Sequence, residues 1–249
     1  MQEPQASLLL VLSAALVFAS PHLLSAEWST YRDPRGRFHF SYPPSFGAIG
    51  AGTSRDLPGT GDSGEAFQFS QFSSGRQGGS IVLEGEAVLT TGRIWVAAQA
   101  LGGLHDALLL GGILEALPSS IREPLLAHAS TLSRVNFCQE LSHARHVQEY
   151  ESNLAVLPVA QQQALRALDQ TRNIDPHVVR CEASGEVVIF HKEATVQLGR
   201  MTNRQHLYGA VRFLAPPCSS FQFIRIANDP PSEELLQTMI AVVDSFGYQ

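Results

Sequence analysis

Phe38, Phe40 and Tyr42 alternate with His39 and Ser41 and run into Pro43-Pro44, the pattern of a short half-buried strand ended by residues that cannot extend a ladder. Residues 47–64, rich in Gly, Ser, Thr and Asp, predict a surface loop. Alternation resumes at 66–72 and at 80–88, on either side of a Gly-rich turn, and predicts a hairpin. From Trp95 to Leu117 the chain is apolar, divided by Gly102-Gly103 and Gly111-Gly112 and interrupted by Asp106 and Glu115. That reads as buried helix in preference to a membrane- or partner-contacting surface. Helical spacing follows at 119–135, 137–152 and 159–172, with Pro124 and Pro158 near helix starts.

The last third predicts strands at 177–183, 186–198, 205–214 and 220–226, in order an antiparallel meander, closed by a helix from Ser232 through Val243. Two-residue turns at Ser184-Gly185 and Thr202-Asn203 set Cys181 opposite Val188, Val196 opposite Gly209 and Glu193 opposite Arg212. A five-residue loop at 215–219 sets Phe213 opposite Phe221 and Arg212 opposite Gln222. In that register Val188, Phe190, Ala194, Val196 and Leu198 share a face with Leu207, Gly209, Val211 and Phe213. The other face collects His191, Glu193, Tyr208, Arg212 and Gln222. It is read as a solvated face carrying a Glu193–Arg212 pair, and as the candidate polar ligand site.

Charge narrows the partners. The chain has 17 basic and 23 acidic residues in 249, a formal net charge of −6, which argues against nucleic acid. The apolar run from Leu8 to Ala19 is shorter than the ~20 residues of a membrane-spanning helix and reads as a signal-peptide core. Cleavage is expected after Ala26, with Ala19 a second candidate position and an uncleaved membrane anchor the alternative, although residues 1–7 carry Glu3 and no basic residue. The mature domain then covers residues 27–249 and is expected in the periplasm or outside the cell.

An oxidising compartment gives the three cysteines, Cys138, Cys181 and Cys218, one disulfide and one odd thiol. In the meander Cys181 and Cys218 are separated by two strand spacings, roughly 10 Å. A disulfide spans at most about 7 Å between Cα atoms. Cys138, on the first turn of a helix covering the apolar face, is therefore expected to pair with Cys181, leaving Cys218 free.

Catalytic motifs are incomplete. Gly61-Asp62-Ser63-Gly64 resembles the nucleophile segment of trypsin-like proteases, yet only His22 and His39 precede Ser63, and His22 is in the signal segment. Glu140, His143, His146 and Glu149 recur every three residues, which rotates each by about 60° around the helix axis and prevents all four from meeting one ion. No metal or other cofactor is expected.

Two segments carry a family resemblance. Tyr31-x-Asp33 followed by Phe38-x-Phe40-x-Tyr42-Pro43-x-x-Phe46 resembles the opening of PsbP-like proteins, and Met239-x-x-x-Val243-x-Ser245-Phe246 resembles their final helix. The resemblance covers the two ends of the mature chain and implies an α+β fold with an antiparallel sheet between helices. The C-terminal meander forms part of that sheet, and residues from about 90 to 175 form a helical insertion. Members of that superfamily include an extrinsic subunit of photosystem II and a nuclear-import factor that binds Ran. The resemblance thus implies a non-enzymatic binding or assembly protein whose partner is another envelope or secreted protein; an exported hydrolase is the alternative.

Overall fold

The computed structural model describes residues 27–57, 60–72, 75–77, 80–82, 85–101, 115, 117–142, 155–160, 162–163, 171–198 and 200–249. Residues 1–26, where a signal peptide is expected, together with His143, His146, Glu149 and most of 102–116, lie outside them.

The protein is α+β with antiparallel sheets. Strands β1 (Ser29–Arg32), β2 (Phe38–Tyr42) and β12 (Gly247–Tyr248) form a three-stranded sheet in the order β1-β2-β12. A seven-stranded sheet comprises β3 (Thr53–Asp56), β4 (Ser63–Gln68), β7 (Glu86–Thr90), β8 (Thr171–Ser184), β9 (Val187–Leu198), β10 (Met201–Phe213) and β11 (Ser220–Ala227), in the order β3-β4-β7-β11-β10-β9-β8. The short pair β5 (Gly75–Gln77) and β6 (Ser80–Val82) stands between β4 and β7 in the chain. The α-helices with described bounds are α1 (Arg93–Leu101), α2 (Ser119–Ser130), α3 (Phe137–Ser142) and α4 (Glu233–Asp244).

Each face of the large sheet carries its own core. On the first face, Phe67, Phe69, Ala87, Leu89, Val187, Ile189, Tyr208, Ala210, Phe221 and Phe223 pack against β2 and α4. The alternation in β2 puts Phe38, Phe40 and Tyr42 inward, and Leu236, Met239, Val242 and Val243 form the buried stripe of α4. Ser232 starts α4 by accepting from the Leu235 amide, with Glu233 and Glu234 at the positive end of the helix dipole. The helix ends at Ser245, whose Oγ accepts from the Ser41 amide at 2.8 Å. Phe246 then stacks on Phe221 and Phe38. On the second face, Val188, Phe190, Val211 and Ile224 pack beneath Val96, Ala97, Ala129, Leu132, Phe137 and Leu141 of the helical segment.

Three turns depart from the expected register. Gly185, at φ +61°, opens the first turn, so Val188 faces Ala183 and Cys181 faces Phe190. Thr202-Asn203, expected as a turn, lie within β10 instead: Val196 faces Asn203, His206 faces Glu193, and Arg212 faces Val187. The expected Glu193–Arg212 neighbours are thus wrong. Both slips are even, which preserves every side chain's face while changing its partner. The third slip is odd. The Leu214 amide bonds the Ser219 carbonyl, Phe213 faces Ser220 and Arg212 faces Phe221, so Gln222 lies on the second face beside Val88 and Val211.

Strand β8 begins at Thr171, six residues before the expected His177, and displaces the end of the helix expected over 159–172. Its register shifts between Ile174 and His177 and between Val178 and Arg180, with Pro176 at the first irregularity. A proline without an N–H is tolerated at a bulge in an edge strand, which is where β8 lies.

Candidate functional site

Of the five residues expected on a polar ligand face, the structure brings three together. His191 on β9 and Tyr208 on β10 are cross-strand neighbours, and Glu193 follows two residues along on the same face. Their environment is closed: His191 is 6% exposed and Tyr208 2%. The expected solvated face is corrected at His191 and Tyr208, which are buried on the side where α4 packs against β9 and β10, whereas Glu193 stays partly exposed.

The missing centre of this cluster is His206. It stands opposite Glu193, is 4% exposed, and its Nδ1 lies 3.0 Å from Nε2 of His191. Glu193 Oε2 is 3.8 Å from the same Nδ1, while Glu193 Oε1 pairs with Nε of Arg204 at 3.1 Å. The Tyr208 ring meets His191 edge-on, and the Arg225 guanidinium lies 5.2 Å from the Phe72 centroid and 6.0 Å from that of Tyr208. Burial, and then the neighbouring His206, push the His191 imidazole below its ordinary pKa, with Glu193 opposing; burial raises that of the Tyr208 phenol. The signal for His206 was its position two residues before Tyr208, which only the correct β9–β10 register turns toward Glu193.

Arg212 belongs elsewhere. Its Nη1 donates to the carbonyls of Asp244 and Phe246 at 2.8 and 3.1 Å, where α4 ends. Gln222 is on the opposite face, fully buried.

The protease-like segment has structural work. Asp62 Oδ2 accepts from the Ile94 amide at 3.1 Å at the start of α1, and burial raises the carboxyl pKa. Thr91 Oγ1 accepts from the Ser63 amide and lies 3.2 Å from the Ser63 hydroxyl. Glu140, on α3, pairs with His128 on α2 at 2.9 Å. The buried carboxylate of Glu86 takes one contact from Arg55 at 3.3 Å, and desolvation raises its pKa.

Cys138 on α3 and Cys181 on β8 form a disulfide, and Cys218 is a half-buried free thiol. The bridge fastens the helical layer to the edge strand of the sheet. Trp95, Val96, Ala97 and Leu117, at the two ends of the apolar stretch, are buried. Among the described residues no helix is long and apolar enough to cross a membrane, and no group of three or more His, Cys, Asp or Glu is placed to hold a metal ion.

No protein-family model and no curated protein matches the sequence. Among solved structures the chain is similar to the 1.9 Å crystal structure of the Saccharomyces cerevisiae Ran-binding protein Mog1p, with a TM-score of 0.34 and 9% identity over 88% of this chain and 94% of that one. At that level the similarity assigns neither a family nor a partner.

Proposed function

We propose that the chain is an exported, non-enzymatic binding or assembly protein that acts on another envelope or secreted protein. In this reading residues 1–26 are a signal peptide and residues 27–249 one PsbP-like domain, in which a C-terminal meander is combined with a helical insertion from about 90 to 175. The observation that carries it is the Cys138–Cys181 bridge, which ties α3 to β8 across 43 residues of sequence. A structural disulfide of this kind persists in oxidising compartments and is rare in a reducing cytosol. The residue types that could suggest catalysis support the reading through their structural engagements: Asp62 caps a helix, Ser63 is bonded to Thr91, and Arg212 holds the end of α4.

Cross-linking the full chain in its own envelope and recovering it under non-reducing conditions tests this directly. The expected result is one defined envelope or secreted partner, together with no turnover in a broad hydrolase panel. Turnover abolished by replacing a single Ser, His or carboxylate residue would establish the hydrolase alternative instead.

A further inference from the structure

We propose that the His191–His206 pair is an acid-operated latch on the β9–β10 hairpin, closed while at most one imidazole of the pair is protonated and opened when both are. The inference stands on the buried geometry of the pair and is independent of export or of any partner.

The two facing nitrogens are 3.0 Å apart, so one must carry a proton and the other a lone pair. With one ring protonated the hydrogen bond survives, because the charged ring still donates to the neutral one. Glu193 Oε2, 3.8 Å from His206 Nδ1, offsets that single positive charge. A second proton, on the accepting nitrogen, sets two N–H groups head to head and places two cations in a site less than a tenth exposed. The contact must then open.

Among the described residues, charged and titratable groups approach the pair from every neighbouring strand. On β8, His177 stands opposite Glu193 and Arg180 opposite His191. The Arg180 guanidinium is held by Glu182 and by Glu233 of α4. On β9, Glu193 shares the face, and Lys192 is directed to the other one. On β10, Arg204 takes up one Glu193 oxygen and Tyr208 packs on His191. From β11, Arg225 lies over Tyr208, and Asp229 follows that strand. Glu193 is thus the only carboxylate that contacts the pair among these residues, and it is shared with Arg204. One carboxylate accommodates one imidazolium and leaves the second without a counter-charge. Glu193 through His206, the outer part of the hairpin, is what the latch holds.

Hydrogen exchange of the full chain at pH 7.5 and pH 5.0, with chelator present and intrinsic rates corrected, reads the latch. We expect amides from Glu193 to His206 to exchange at least tenfold faster at pH 5.0, with no such change in β4 and β7. In the His191→Gln, His206→Gln double variant, which keeps a donor and an acceptor but cannot titrate, the acceleration should be absent. Equal acceleration in that variant, or none in the native chain, would overturn the proposal. Should the double variant not fold, nitrogen-15 spectra of the native imidazoles decide: both rings fully protonated while the 193–206 amides stay protected would refute it, and loss of protection in step with the second protonation would support it.

Discussion

Arg212 on β10 holds the last turn of α4, donating from one guanidinium nitrogen to the carbonyls of Asp244 and Phe246. The carbonyls at a helix end have no partner within the helix, and a cation there also opposes the negative end of the dipole. Those two contacts lock α4 over the first face, next to the point where Ser245 bonds Ser41.

Replacing Arg212 with Ala should therefore cost more than the loss of an exposed ion pair. Hydrogen bonds from a charged donor contribute about 1.5–3 kcal/mol, and we expect a loss in that range by urea denaturation at pH 7. Arg212→Lys should recover only part of it, since one ammonium cannot reproduce the fixed geometry of the guanidinium. A loss below about 0.5 kcal/mol, the scale of an ordinary surface substitution, would contradict the role.

Asp33 sets the acid limb of the stability curve. Its carboxylate takes two contacts from the Arg37 guanidinium, at 2.7 and 2.8 Å, and the hydrogen bonds from that guanidinium lower its pKa to about 2. The folded value lies below the unfolded one, so the stabilisation is fully present above the unfolded pKa near 3.8 and is lost as pH falls toward 2. Asp33→Asn should be less stable than the native chain at pH 7, and the gap should close between about pH 4 and pH 2. A pH-independent gap across that window would show that the charge of Asp33 is not responsible.

Gly209 marks where β10 tolerates no side chain. A Cβ there would lie 2.3 Å from the Phe223 carbonyl oxygen and 3.1 Å from the Phe190 ring. The Phe223 backbone is fixed in the sheet, so Gly209→Ala should destabilise by about 1–3 kcal/mol, the usual scale of overpacking. Gly185→Ala meets no atom within 4 Å, and its cost comes only from a φ of +61°. Thermal unfolding of the two variants should rank Gly209→Ala as the more damaging; the reverse order would mean that the strands separate to admit the methyl group.

What was legible in the sequence was the local periodicity. The alternation of Phe38, Phe40 and Tyr42 and the apolar spacing of α4 each depend on one element burying one face, and the structure buries those residues. Turn positions were harder, because Ser184-Gly185 and Gly185-Glu186 offer equally good turn chemistry, and nothing in Met201-Thr202-Asn203 forbids a strand. Even slips leave the faces intact. The odd slip after Phe213 does not, and it moves Gln222 to the face opposite Arg212. The burial of the face has another cause: His191 and Tyr208 are polar by composition, but α4, distant in sequence, packs against the strands that carry them. His206 became visible only once β10 was in register.

The state of the cysteines in the chain as its own cell makes it tests the central claim most directly. Intact mass spectrometry of envelope protein alkylated without reduction should show a chain beginning at Glu27 with a single modified thiol, Cys218, and three modified cysteines after reduction. Alkylation at Cys218 should be slow at neutral pH, because burial raises that thiol's pKa. Removing the bridge by Cys138→Ser should cost about 2–4 kcal/mol. A full-length chain recovered from the cytoplasm with all three thiols modified before reduction would contradict both export and the disulfide-fastened architecture.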